Sequence, residues 1–168
     1  MRKGVLWVEV KKCLACKTCE LECAVVHSMS RNLKTVITEN PISIPRLKVE
    51  AAKDFSVPLQ CRHCEDAPCV KICPTKALAK SEPGAPVLLN KEYCIGCRFC
   101  IQVCPFGVIR MDRNGTAIIK CDLCIERLTR NELPACVSGC PTRAIKFLSV
   151  EEYTEKMRKK AVESFVEI

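Results

Sequence analysis

The sequence predicts an α+β fold of small antiparallel strands and short helices, and three observations carry that prediction. Sixteen of the 168 residues are cysteine, in four groups of four with closely similar internal spacing. Between the groups lie apolar stretches only a few residues long, separated by turn signals. Aromatic residues make up 5% of the chain, so little large apolar surface is available to bury and much of the folding free energy has to come from elsewhere. Metal ligation can supply it, because ligand atoms scattered in the unfolded chain converge only in the folded one.

Each element has its own signal. Val5–Val10 alternates and predicts a strand. Helices are expected to start within the cysteine groups, over Thr18–His27, Ala67–Ile72, Arg98–Val103 and Asp122–Asn131. Ser28–Pro45 is polar, carries Pro41 and Pro45, and is expected to be a connecting excursion outside the core. Arg46–Ala51 and Val57–Gln60 are expected to pair as a hairpin. Val87–Leu89, Val108–Met111 and Ala117–Ile119 are further short strands. Pro83–Gly84 and Asn114–Gly115 mark turns, the second a good hairpin signal. A last helix opens at Ser149, with Glu152 three residues on as a capping box. In it Val150, Tyr153, Met157, Ala161 and Phe165 recur at helical spacing. That pattern predicts an apolar stripe against the body, beneath a solvated face of Lys156, Arg158, Lys159 and Lys160.

The cysteine groups carry the chemistry. They are Cys13, Cys16, Cys19 and Cys23; Cys61, Cys64, Cys69 and Cys73; Cys94, Cys97, Cys100 and Cys104; and Cys121, Cys124, Cys136 and Cys140. Every group ends C-x3-C, and the last three are followed by Pro74, Pro105 and Pro141, which makes an internal repeat. Three sulfurs spaced C-x2-C-x2-C must wrap a compact object, and a cubane iron–sulfur cluster meets that demand. The fourth Cys lies on the following helix and points away. In two-cluster proteins it ligates the other cluster, and C-x2-C-x2-C-x3-C-P is the bacterial signature. Cys94 to Pro105 matches that signature without exception. Proline suits the position after the fourth Cys because it stops the helix and leaves no N–H unpaired.

Two other uses of sixteen cysteines were weighed. Four zinc ions would take the same number of thiolates, but zinc sites favour two separated C-x2-C pairs over a tight run of three. A disulfide scaffold would strain groups this close and needs an oxidising compartment. No secretory signal, twin-arginine pair or long apolar run is present, so a cytoplasmic location without direct membrane insertion is expected. His27 and His63 are expected to hydrogen-bond locally or pack beside a cluster. Leu14, Val70, Ile72, Ile95, Phe99, Ile101 and Val103 are expected to form core and keep water from the sulfurs. Lys17, Lys71, Lys76 and Arg98 are read as solvated surface charge, with electrostatic tuning as the alternative. The formal charge of +8 is not a nucleic-acid signal. A cubane core carries about +2 and its four thiolates −4, so four sites add roughly −8 and cancel it.

The nested order of the four motifs resembles the four-cluster ferredoxin-like subunits of the dimethyl sulfoxide reductase and formate dehydrogenase type. The x2–x4–x3 spacing of the second group and the x2–x11–x3 spacing of the fourth look like that family, and the resemblance spans nearly the whole chain. More narrowly, Cys13 to Ser28 and Pro58 to Cys69 look like the branch that contains the iron–sulfur partner of nickel carbon monoxide dehydrogenases. The resemblance implies four [4Fe–4S] clusters with crosswise ligation. Cys13, Cys16 and Cys19 would share a cluster with Cys140, and Cys121, Cys124 and Cys136 one with Cys23. Cys61, Cys64 and Cys69 would take Cys104, and Cys94, Cys97 and Cys100 would take Cys73. Some relatives hold a three-iron cluster where one third-motif ligand is replaced. Here Cys97 is present, which implies four cubanes.

Two bacterial-ferredoxin-like modules follow from the resemblance. Residues 57–112 form an inner module inserted into an outer one of residues 1–56 and 113–168. The implied role is a non-catalytic electron-transfer subunit between a catalytic subunit, carbon monoxide dehydrogenase, and a hydrogenase or flavin-dependent oxidoreductase. The alternative is the same role for a formate dehydrogenase, a hydrogenase or a molybdopterin reductase. By analogy, the Cys13/Cys140 and Cys23/Cys121 clusters lie toward the catalytic partner. One departure from the pattern is Ala24, which replaces the proline after Cys23, so that helix is expected to run on to His27.

Overall fold

The structure is a computed structural model that describes residues 3–165. The chain runs β1 (Val5–Val8), α1 (Thr18–Val26), β2 (Lys48–Ala51), β3 (Ser56–Leu59), α2 (Pro68–Lys71), β4 (Leu78–Ala79) and β5 (Leu88–Leu89). It continues through α3 (Phe99–Gln102), β6 (Arg110–Met111), β7 (Ile118–Ile119), α4 (Ile125–Thr129), α5 (Ala135–Ser138), β8 (Ile145–Leu148) and α6 (Val150–Ser164). This is the expected α+β class. The strands pair as four antiparallel ribbons, β1 with β8, β2 with β3, β4 with β5 and β6 with β7. In the first ribbon Val5 faces Leu148 and Val8 faces Ile145, so strands far apart in sequence meet, and every other element but α6 lies between them along the chain.

Two apolar clusters organise the interior. One gathers Leu6, Leu47, Val49, Leu123, Leu128 and Ile145 around Cys19, Cys23 and Cys136. The other gathers Ala67, Leu78, Val87, Ile109 and Ile118 around Cys69 and Cys100. The first draws on both ends of the sequence and the second on its middle. The β6–β7 hairpin packs in the second, with Ile118 1% exposed. Burying an aliphatic side chain of this size contributes about 1.5–3 kcal/mol. The apolar residues expected to shield the sulfurs divide. Val70, Ile101 and Val103 pack on the second cluster, whereas Leu14, Ile72, Ile95 and Phe99 are exposed.

The short elements follow from the motifs. α1 is the longest helix within a cysteine group because Ala24 leaves its backbone N–H free to continue, and it ends at a His27 cap as expected. α2 starts at Pro68, where the missing N–H costs nothing. α4 is shorter than expected, because left-handed Leu123 and Cys124 keep Asp122–Cys124 out of the helix. The strand expected over Val5–Val10 stops at Val8. There the Glu9 N–H bonds the Ala144 carbonyl at 2.8 Å and a 3-10 turn over Val10–Lys12 takes over. Three elements carry no signal in the amino-acid pattern: β4, α5 and β8.

α6 opens as expected. Ser149 Oγ accepts from the Glu152 N–H at 3.2 Å, and the Glu152 carboxylate accepts from the Ser149 N–H at 2.8 Å. The expected apolar stripe is corrected. Val150, Met157, Ala161 and Phe165 are all exposed. Among the described residues the head of the helix meets the body, through Tyr153 edge-to-face on Trp7 (centroids 5.7 Å, 72°) and Lys156 3.5 Å from Glu9. Helical periodicity reports which residues share a face. It does not report whether the body is long enough to meet that face.

Candidate metal centres

The four cysteine groups share one backbone device. The residue two places after the first Cys is left-handed in each: Ala15 (φ 55°), His63 (48°), Gly96 (66°) and Leu123 (61°). Such residues rotate successive peptide N–H groups into a concavity that binds anions, iron–sulfur thiolates included. Two of these N–H groups reach sulfur, His63 to Cys61 Sγ at 3.4 Å and Leu123 to Cys121 Sγ at 3.3 Å. Cys13 and Cys94 also match in their approach, each ending a 3-10 turn at φ −79°, ψ 116°. Gly96 is the one glycine among the four, and a Cβ there would lie 2.8 Å from the Thr116 carbonyl oxygen.

The ends of the groups repeat as well. After Cys73-Pro74, Cys104-Pro105 and Cys140-Pro141 the chain turns through left-handed Lys76 (56°), Gly107 (59°) and Arg143 (54°). Burial pushes the Cys73 thiol up, but the backbone N–H groups of Leu78, Ala77 and Thr75 and the Thr75 hydroxyl bring it below its ordinary value. Cys140 is lowered against burial in the same way, by Ile145, Ala144 and Thr142. These equivalent donors are aimed at sulfur as thiolate.

Deeper in the fold the thiols crowd together. All sixteen are free. Burial pushes Cys19 up to about 12 and Cys100 to about 11, and raises Cys69, Cys121 and Cys136. Mutual repulsion reports which sulfurs are neighbours. Cys140 acts on Cys16 and Cys19; Cys61 and Cys104 act on Cys69; Cys94 and Cys97 act on Cys100; Cys23, Cys121 and Cys124 act on Cys136. The same repulsion acts between sets twice, Cys19 on Cys136 and Cys69 on Cys100. Cys64, Cys73, Cys94 and Cys104 pack on the second apolar cluster, Cys13 is half-buried, and Cys16 is exposed with Thr18 Oγ1 donating to it at 3.4 Å. A set of thiolates of this kind, cupped by N–H donors, fits a metal cluster.

The two histidines hydrogen-bond locally. His27 Nε2 is 3.1 Å from Asp122 Oδ1, and its Nδ1 is 2.7 Å from the Cys23 carbonyl oxygen. Burial alone would lower His27; Asp122 and the thiolates of Cys124 and Cys23 outweigh it and lift the ring to about 11. His27, Asp122 and Cys124 offer ligand atoms within 4.8 Å of one another, but Arg46 already pairs with that carboxylate at 2.5 Å. His63 Nδ1 accepts from the Val87 N–H at 3.1 Å. Burial, then the Lys120 charge, push its ring down to about 3, so it is neutral. Lys17, Lys71, Lys76 and Arg98 are all exposed. The buried cation is one that sequence reasoning misses: Lys120, whose position before Cys121 looks like any surface charge.

Comparison with known proteins decides the family. A model of the 4Fe-4S dicluster domain matches residues 52–150. The chain belongs to the 4Fe-4S dicluster domain family. Similar proteins cover most of its length. An "Iron-sulfur protein" of Rhodospirillum rubrum is 36% identical, over 92% of this chain and 87% of that one. The "Thiosulfate reductase electron transfer subunit PhsB" of Salmonella typhi is 37% identical, over 88% and 77%. A component of the anaerobic dimethyl sulfoxide reductase of Escherichia coli is 32% identical, over 89% and 75%. As a dicluster-family member the chain is an iron–sulfur protein of the electron-transfer kind. Its sixteen cysteines accommodate four [4Fe–4S] clusters. Among the described residues no helix is long and apolar enough to cross a membrane.

Proposed function

We propose that this chain is the non-catalytic, cytoplasmic electron-transfer subunit of a redox complex. The observation that carries the reading is the four-fold repetition of left-handed cradles around sixteen free thiols. When bound, [4Fe–4S] clusters supply one-electron storage sites. The protein's part is to hold, insulate and space them. The proposed ligand sets are Cys13, Cys16, Cys19 with Cys140; Cys23 with Cys121, Cys124, Cys136; Cys61, Cys64, Cys69 with Cys104; and Cys73 with Cys94, Cys97, Cys100. The neighbour relations among the thiols support these sets. They also pair the centres two by two, Cys13/Cys140 beside Cys23/Cys121 and Cys61/Cys104 beside Cys73/Cys94, and the proposed order sets the Cys13/Cys140 and Cys73/Cys94 centres at the two ends. The proposed division is an outer module of 1–56 and 113–168 and an inner one of 57–112, with the β6–β7 hairpin straddling the boundary.

Two partners are proposed, one at the Cys13/Cys140 centre and one at the Cys73/Cys94 centre. The Cys13/Cys140 end is assigned to the catalytic subunit. That subunit is proposed to be a carbon monoxide dehydrogenase, on the resemblance of Cys13–Ser28 and Pro58–Cys69, and the acceptor a hydrogenase or flavin-dependent oxidoreductase. The second reading is a molybdopterin reductase, favoured by the thiosulfate reductase and dimethyl sulfoxide reductase relatives. Anaerobic purification from the source, with identification of every co-eluting protein, separates the two. Carbon monoxide dehydrogenase in the complex supports the first reading; a molybdopterin subunit in its place overturns it.

A further inference from the structure

We propose that Lys120 is a redox-tuning residue shared by two metal centres, one in each half of the chain, and that it marks the crossing point between them. It rests on the reading of the sixteen cysteines as cluster ligands. The side chain is 3% exposed. Its Nζ donates to the Val87 carbonyl at 2.5 Å and to the Cys121 carbonyl at 2.6 Å. Val87 belongs to the middle apolar cluster, and Cys121 opens the last cysteine group. One ammonium therefore ties the two halves together at their seam.

The hydrogen bonds alone do not account for a cation here. Carbonyl dipoles solvate the charge without neutralising it, and among the described residues no carboxylate lies within ion-pair distance of Nζ. Asp122, two residues on, is already engaged by Arg46 and His27. An isolated buried charge is costly, and such groups are retained where something nearby compensates them. Sulfur flanks both of its partners: Val87 packs in the same cluster as Cys69, and Cys121 is the residue next in the chain; both thiols feel its charge. His63, between Cys61 and Cys64, feels the same field. A cluster held by four thiolates is a net anion and becomes more negative on reduction. A fixed cation beside it favours the reduced form and raises its potential. A cation shared by two such centres raises both, which keeps them matched for exchange of an electron across the seam.

The test is an anaerobic redox titration, followed by electron paramagnetic resonance, of the full chain carrying its clusters. Lys120→Met keeps length and apolar bulk and removes the charge; Lys120→Arg keeps the charge. In Lys120→Met two of the four midpoints are expected to fall. The fall is at least a tenfold loss in the reduced-to-oxidised ratio at fixed potential, or about 59 mV for one electron. The other two midpoints stay put, and all four stay put in Lys120→Arg. No midpoint moving, all four moving together, or Lys120→Arg moving as far as Lys120→Met would each overturn the proposal. Should Lys120→Met not retain its iron, Lys120→Gln, whose amide still donates to a carbonyl, takes its place under the same criteria. Iron loss in all three variants would mark a purely structural lysine and overturn it equally. A wild-type chain without its full iron complement would instead remove the cluster reading itself.

Discussion

Replacing Gly96 by alanine tests the cradle geometry at its tightest point. Gly96 has φ +66°, a conformation that costs a residue bearing a Cβ about 1–2 kcal/mol. The added Cβ would also sit 2.8 Å from the Thr116 carbonyl oxygen and 3.4 Å from that of Gly115, both backbone atoms that cannot rotate away. Overpacking of this kind costs about 1–3 kcal/mol. Together these give about 3 kcal/mol, and at about 2–4 °C per kcal/mol for a chain of this size the melting temperature falls by about 6–12 °C. Gly107 provides the control, with φ +59° and nothing within 4 Å of its ideal Cβ. Gly107→Ala bears only the conformational cost, and its fall is about 2–8 °C by the same conversion. The assay is anaerobic thermal unfolding of the iron-loaded protein by circular dichroism at one scan rate, because unfolding with cluster loss is irreversible. If Gly96→Ala melted no lower than Gly107→Ala, the close approach of Thr116 to the third cysteine group would be refuted.

Four further predictions concern other parts of the fold. Cys136→Ser is expected to remove one centre, about four irons per chain, and iron analysis showing no loss would remove Cys136 from the ligands. Cys16→Ser and Cys140→Ser are expected to alter the same electron paramagnetic resonance signal; different signals would break the crosswise pairing. Trp7→Ala removes the edge-to-face contact with Tyr153, worth about 0.5–1.5 kcal/mol beyond area burial. It should speed tryptic cleavage at Lys156–Lys160 several-fold with iron content unchanged, and an unchanged cleavage rate would mean that Trp7 does not anchor α6. Glu9 is held down to about 2 by the Lys12 and Lys146 hydrogen bonds. Its folded value lies below the unfolded one, so its contribution is fully present above the ordinary carboxylate range and lost as pH falls through about 2. Glu9→Gln should therefore lower stability by up to about 1 kcal/mol. In thermal melts the gap should be the same at pH 6 and pH 9 and shrink as pH falls toward about 2, and a gap that widened as pH fell would contradict the sign.

The candidate site was legible in the sequence because its information is local. Sulfur spacing, the prolines after the fourth cysteines and the Ala24 exception each act within a few residues of where they stand. The Ser149–Glu152 capping box is local in the same sense, and it forms as read. What stayed hidden depends on contacts made from far away. β8 is only four residues, IKFL, lodged between the last cysteine turn and α6, and it is a strand because β1, at the opposite end of the sequence, pairs with it. β4 is two residues long, too short for any period to register. The α6 stripe has the right spacing, but Val150, Met157, Ala161 and Phe165 on it are exposed. Lys120 illustrates the limit most sharply. Its chemistry is that of any lysine, and only the convergence of Val87 and Cys121 around Nζ gives it a different environment.

Iron, zinc and acid-labile sulfide counted on protein purified without exposure to air address the central claim directly. Sixteen cysteines closing four cubanes require about sixteen irons and sixteen sulfides per chain, with negligible zinc. About four zinc ions with no sulfide, or iron and sulfide well short of sixteen, would contradict it.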